Sequence, residues 1–398
     1  MQHNSSRLSL GLIALLSAAS ALGPTSMQIL LPALPIIKSD FMVSASVAQL
    51  TLSLSMLAIA VGTLTYGPLS DRYGRKPILI IGIIITVIGS VFCIFAPTIN
   101  LLILGRIVQA FGGAVGLVVA RAIIRDVYGP LESARIISTL IMVMVVLPML
   151  SPTLGGELMV RFGWRSVFVV IAIFSACMLI VLSMKLPETL KEPVHFEGVK
   201  GMLLTFRELM RSRLFCGYGF CAAFVSVIFF SFISAAPEIM VSVLHRPATE
   251  YGYYFIMIPA GFMAGSYLSR RYGNRLGIYK MVDYGSKVSI FGIGLALLIQ
   301  LMGFRHPIAL FFPIAIAVFG NGVTLPNAQA GAINAFSKHA GSASGLIGFL
   351  QMGCSAAAAQ LVAIIFNGSA FPLLILMLVA AVLSRISFHM GVSKPQVD

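Results

Sequence analysis

The chain has 398 residues, of which 58% are hydrophobic and only 10% charged, and its mean hydropathy is +0.98. No soluble fold has enough interior to hide that much apolar surface, so most of the chain belongs in lipid, and a soluble enzyme is excluded. The net charge of +14 would suggest nucleic acid only if the basic residues gathered into one patch; in a membrane protein the same excess arises from Lys and Arg kept on the cytoplasmic side.

Gaps between charged residues mark the spans. Residues 8–37 and 41–70 carry no Asp, Glu, Lys or Arg and form spans one and two. Arg7 ahead of an Ala/Ser-rich run resembles a secretory leader, but the run continues through Leu31-Pro32-Ala33-Leu34-Pro35 and is about twice a leader's core length, so it is read as retained. The run 77–105 breaks at Ala96-Pro97-Thr98 and resumes past Arg106 to Ala120, giving spans three and four. Residues 136–156 and 166–184 are spans five and six. Spans seven to ten are read at 214–237, at 251–269, from Ile278 onward with only Asp283 and Lys287 inside, and at 306–337. The uncharged stretch 339–384 is divided by Asn367-Gly368-Ser369 into spans eleven and twelve. Twelve spans of about 20 residues need about 240 residues, which leaves short loops. The domains are a bundle at 1–186, a linker at 187–213 and a second bundle at 214–398.

With the N-terminus inside, twenty of the 27 basic residues fall on the cytoplasmic side: Arg7, Arg72, Arg75, Lys76, Arg121, Arg125, Arg135, Lys185, Lys191, Lys200, Arg207, Arg211, Arg213, Arg270, Arg271, Arg275, Lys280, Lys338, Arg385 and Lys394. Five lie opposite (Lys38, Arg161, Arg165, Arg246, Arg305), while Arg106 and Lys287 are within the membrane. That bias places both termini in the cytoplasm and accounts for the charge without nucleic acid. The linker contains Pro187, Glu188, Glu192, Pro193 and Glu197. Its part from Val199 to Met210 fits equally a helix lying along the membrane surface or a solvated connection. Five scattered cysteines without a C-x-x-C pair, and six scattered histidines, indicate no metal site, cofactor or disulfide framework. The absence of G-x-x-x-x-G-K-[ST] excludes an ATP-driven pump, and no His/Asp/Glu cluster at the membrane edge suggests a membrane enzyme.

Leu69-Ser70-Asp71-Arg72-Tyr73-Gly74-Arg75-Lys76 after span two recurs as Leu268-Ser269-Arg270-Arg271-Tyr272-Gly273-Asn274-Arg275 after span eight. Such repetition at half the chain length is the mark of an internal duplication. The stretch from Gly67 to Lys76 matches G-x-L-x-D-R-x-G-R-K, the loop signature of the major facilitator superfamily, which the chain therefore resembles. Leu102-x-x-x-Arg106-x-x-Gln109 is similar to that superfamily's intramembrane arginine motif. Ser151-Pro152-Thr153-Leu154-Gly155-Gly156 resembles its antiporter motif, with Ser in place of the first Gly. Leu31-Pro32-Ala33-Leu34-Pro35, Ala120-Arg121-Ala122-Ile123-Ile124-Arg125-Asp126, Phe162-Gly163-Trp164-Arg165, Phe232-Ile233-Ser234-Ala235-Ala236-Pro237, Tyr251-Gly252-Tyr253-Tyr254-Phe255 and Ala340-Gly341-Ser342-Ala343-Ser344-Gly345 look like the Bcr/CflA drug-resistance subfamily.

The resemblance implies an all-α membrane protein of twelve transmembrane helices in two pseudo-symmetric six-helix bundles, the major facilitator fold. It implies a monomer in the bacterial inner membrane that exports drugs or related small molecules in exchange for protons. Gly67, Asp71, Arg72, Gly74, Arg75, Arg125 and Asp126 are then expected to form a gating latch, with Gly67 and Gly74 allowing close helix approach and a tight turn. Pro152, Gly155 and Gly156 are expected to kink span five and pack it tightly.

The subfamily usually carries an Asp where this chain has Gln28. An amide cannot carry a proton, so Asp283 or Glu157 become the coupling candidates; Asp283 and Lys287 also stand i, i+4 and can neutralise each other. Arg106 is expected within the membrane at about 10 Å from the outer face, with the Gln28 carbonyl as one acceptor and its charge open to an anionic or polar substrate. Gln109, Phe232, Tyr254, Asn321, Asn327 and Gln351 complete the expected substrate-binding set. Two alternatives stay open: export of an endogenous amino acid, nucleoside or carboxylate siderophore, and a non-cycling sensor with the same fold.

Overall fold

The structure is a computed structural model in which residues 9–190, 198–247, 250–336 and 340–392 are described. The cytoplasmic placements of Arg7, Lys191, Lys338 and Lys394, and the linker residues Glu192, Pro193 and Glu197, fall outside them. Every element among the described residues is helical. The chain forms two compact units, Met1–Met42 with Leu50–Phe196 and Val43–Gln49 with Glu197–Asp398.

In the first unit, Ser9 caps α1 (Leu10–Gln28) by accepting from the Leu12 amide. A 3-10 turn at Leu31–Ala33 then interrupts span one before α2 (Leu34–Asp40). The sequence dictates that break: Pro32 and Pro35 have no N–H to give to carbonyls four residues earlier. Most of α3 (Ala45–Tyr73), together with α4 (Arg75–Ile94), α5 (Ile99–Phe162) and α6 (Ser166–Lys185), completes the unit. Between α4 and α5 the expected break holds, and Thr98 caps α5 by accepting from the Leu101 amide.

The continuous α5 contains two spans. Gly116 lies against Ala19 and Gly155 against Ile29. Those partners are about 15 Å apart along span one, whereas the straight helix from Gly116 to Gly155 would cover about 58 Å. The chain therefore turns back between them, with helical geometry running through the turn. At the end of the unit where α2 meets the turn before α6, Trp164 Nε1 donates to Asp40 at 2.8 Å and Arg165 stacks 4.2 Å above the Trp164 ring. Beneath them Leu22, Ile37, Cys93, Leu102 and Phe168 form a buried core.

The second unit holds α7 (Gly198–Arg211), α8 (Arg213–Ser242), α9 (Glu250–Phe255), α10 (Met257–Leu301), α11 (Pro307–Ala335), α12 (Ala340–Ile365) and α13 (Phe371–Gly391). The linker segment is thus a helix, and its Leu209 enters a core with Phe215, Val282, Leu346 and Phe388. Spans eight and nine are merged in α10, whose helical geometry is broken only at Gly277 (φ 75, ψ 161).

Gly277 revises the register of the repeat. Gly74, between α3 and α4, has φ 103 and ψ 150, a conformation that costs only glycine nothing. Its counterpart by sequence, Gly273, lies within the helical run; the structural counterpart is Gly277, one turn later. The glycines of two close helix approaches share that offset: a Cβ on Gly89 would strike the Gln109 backbone, and one on Gly292 the Ala317 backbone.

Candidate functional site

Span one breaks part-way along its length, between α1 and α2, and carbonyls in the last turn of a broken helix lose their own donors and carry the negative end of its dipole. Arg106, on the first half of α5, fills that gap. It is 0% exposed; Nη1 donates to Ser26 O at 3.1 Å and to the Gln109 side chain, and Nε reaches Thr51 O at 3.5 Å. Gln109 in turn donates to Ser90 Oγ at 2.8 Å. One guanidinium thereby links spans one, two, three and four.

The expected acceptor is not the actual one. Gln28 Oε1 has no hydrogen-bond partner, because the break in α1 offers Arg106 the Ser26 carbonyl instead. Arg106 Nη2, Thr25 Oγ1 and Thr153 Oγ1 are likewise buried without partners. From Leu8 to Arg125 the only acidic residues are Asp40, held by Trp164, and Asp71, held by Arg75. Among the described residues, no carboxylate pairs with Arg106.

At the opposite end of the same unit, Arg75 is 4% exposed and centres a cluster with Asp71, with Asp126 at 2.8 Å and with Ser70 Oγ at 2.7 Å. It joins the end of α3, the start of α4 and span four. Two expected members stand apart: Arg125 is exposed, and Arg72 lies over the Tyr73 ring at 5.1 Å. Gly67 is not a site of close approach, since a Cβ there would make only ordinary contact with Val118; the tight position is Gly62, against Ala114 and the Phe111 carbonyl. Sequence reasoning missed the fourth contributor, Glu188. Its carboxylate accepts from the Arg75 and Lys76 amides at 3.0 and 3.1 Å and so caps α4. The legible signal was an acid just past span six, where a helix start needs acceptors.

Span five meets its expectation of tight packing at Gly155, whose Cα faces the Ile29 carbonyl; Pro152 and Gly156 are buried beside it. Glu157 is surface-exposed and paired with Arg161.

In the second unit the candidates separate into two groups. Asn321 accepts from Ser289 and donates to Val225 O, and Asn327 donates to Ser269 Oγ at 2.6 Å and to Val323 O; both are helix-to-helix fastenings. Phe232 packs edge-on against Phe311, which also meets Tyr254 and Tyr251. The Tyr251 hydroxyl, Gln351 Nε2 and the Ser355 hydroxyl are buried without partners; Tyr251 and Ser355 were not singled out by sequence, because nothing in an apolar run distinguishes a fastened hydroxyl from a free one. Asp283 is held by Lys287, by Arg385 and by His389, at 2.8, 2.8 and 3.1 Å.

A family model of the Major Facilitator Superfamily matches residues 16–359. The chain is 27% identical over 384 residues to a bicyclomycin resistance protein homolog of Haemophilus influenzae, covering 95% of each. It is 28% identical over 347 residues to multidrug resistance protein D of Escherichia coli, covering 85% of each. Among solved structures, a bacterial homolog of the human lysosomal transporter Spinster superposes with a TM-score of 0.74 at 17% identity, over 97% of this chain and 98% of that one.

Proposed function

Starting from the fact that the chain is a transporter belonging to the Major Facilitator Superfamily, we propose that it exports drug-like small molecules across a bacterial inner membrane by alternating access, drawing on the proton gradient. Full-length similarity to resistance proteins supports the cargo class. The bias of Lys and Arg supports an orientation with both termini cytoplasmic. A gating role for the Arg75 cluster follows from its placement: a buried cation tying three helix ends is costly unless fully paired, so its making and breaking separates two states.

The observation that carries the substrate site is Arg106. A fully buried guanidinium with an unused Nη2 and no carboxylate partner is compensated only by dipoles, and the unpartnered Gln28, Thr25 and Thr153 add buried polar atoms on α1 and α5. This favours a second reading of the cargo, a polar or anionic metabolite whose negative group completes the site. Proton coupling has no carrier on span one. Asp283 is enclosed by three basic groups and Glu157 sits at the surface with Arg161, so a coupling acid must gain alternating exposure through movement. Counterflow of labelled compounds, neutral, cationic and anionic, in proteoliposomes tests the reading. Preference for anions supports the second cargo class, and exchange of cationic drugs alone refutes a substrate role for the Arg106 charge.

A further inference from the structure

The duplicated fold supplies its own control for the ionic cluster at Asp283. With the 203-residue offset set by Gly74 and Gly277, and by Gly89 and Gly292, Asp283 corresponds to Ile80 and Lys287 to Ile84. The partner helix α13 carries Arg385 and His389, whereas α6, its counterpart, has no Asp, Glu, Lys, Arg or His before Lys185. The first unit builds the same helix pair from apolar residues. The fold therefore does not require this cluster.

The cluster is also unbalanced. Lys280, Asp283 and Lys287 share one stripe of α10 at spacings i, i+3 and i+7. Arg385 faces them from α13, donating to the Asp283 carboxylate, the Asp283 carbonyl and Ser286. His389 meets Asp283 through Nε2 and the Tyr279 hydroxyl through Nδ1. His389 aside, there are three cations and one anion. The cations lie outward: the Lys287 side chain is 55% exposed while Asp283 is 16% exposed, and Tyr284 beside Lys287 is exposed. Lys287 has donors left over, and so does Arg385.

We propose that α10 and α13 form a binding site for the phosphate of an acidic phospholipid in the cytoplasmic leaflet. The partner is a lipid because the excess charge lies on the helix pair's exposed flank, near the helix ends that the Lys and Arg bias puts at the cytoplasm. Lys287 reaches toward the headgroup plane by extending its stem back to Asp283, and Arg385 supplies a fork suited to a phosphate. Asp283 keeps the cations in place when no lipid is bound and competes with the phosphate when one is.

The test uses the full-length protein in nanodiscs of phosphatidylcholine containing phosphatidylglycerol, with retained lipids counted by native mass spectrometry. The wild type retains phosphatidylglycerol over phosphatidylcholine. Lys287→Gln and Arg385→Gln each weaken that retention about fivefold. Asp283→Asn strengthens it, a gain that misfolding cannot imitate. Unchanged or weaker retention by Asp283→Asn overturns the proposal. So does an equal loss on Arg305→Gln at the other membrane face, which would mean unspecific attraction, or displacement of the lipid by inorganic phosphate, which would mean a site for soluble anions.

Discussion

Replacing Arg106 by Met separates two roles for a buried guanidinium. The side chain fills similar volume and loses every donor. Ser26 O and the Gln109 carbonyl are then left without the Arg106 donor, at about 1–3 kcal/mol each; the 3.5 Å contact to Thr51 O is at the limit of a hydrogen bond and contributes little. Against this, Met removes a charge that is 0% exposed and has no carboxylate partner, whose burial costs several kcal/mol. The two nearly cancel, so the variant unfolds within about 2 kcal/mol of wild type. Binding of an anionic cargo is affected differently. Loss of a charge-assisted hydrogen bond of about 1.5–3 kcal/mol weakens it about 10- to 150-fold. Arg106→Lys falls between, keeping the charge without the planar fork. Thermal unfolding in detergent and calorimetric titration with a substrate found by counterflow measure both quantities. Wild-type affinity in Arg106→Met refutes the substrate role, and a large loss of stability with unchanged affinity assigns Arg106 to helix fastening alone.

Asp71→Asn and Asp126→Asn each withdraw a charged acceptor from the buried Arg75; both are expected to express normally and to lose most transport in vesicles, and near-normal transport would refute the latch. Burial raises the Glu188 carboxyl, but four backbone N–H donors outweigh it and hold it below the usual carboxylate value. A depressed folded-state value means that the cap is intact above about pH 4.3 and is lost as the pH falls below it. Protection of the Arg75 and Lys76 amides, taken relative to intrinsic exchange at each pH, is therefore expected to fall at acid pH, and to be reduced in Glu188→Gln at every pH; pH-independent protection counts against the cap. Gln28→Asp installs a titratable group on span one and is expected to steepen the pH dependence of uptake into everted vesicles; an unchanged profile means that span one takes no part in coupling.

Charge gaps located the spans because an unpaired charge in lipid is expensive, and that rule acts residue by residue along the chain; among the described residues ten of the twelve expected spans lie in helices long and apolar enough to cross a membrane. Pro97 and Gly368 marked real breaks for the same local reason, as residues that interrupt helices. Most partners of Arg106 were not legible: besides the Gln109 side chain, its acceptors are backbone carbonyls on two other spans, Ser26 O just before the break in span one and Thr51 O within α3, and every residue has a carbonyl. The sequence repeat pointed to Gly273, but the duplicated halves diverged by one helical turn, and only the backbone at Gly277 reveals it. The Asp283–Lys287 pair followed from i, i+4 spacing, whereas Arg385 and His389 come from a helix about a hundred residues away. Close approach was assigned to Gly67 from the motif, although packing places it at Gly62.

The central claim, active export of small molecules driven by the proton gradient, is tested most directly by accumulation of a labelled substrate in energised everted vesicles, with and without a protonophore. Accumulation against a concentration gradient is expected to depend on the protein, to collapse on addition of the protonophore, and to be mostly lost in Asp71→Asn. Accumulation that survives the protonophore, or that is equal in vesicles lacking the protein, contradicts it.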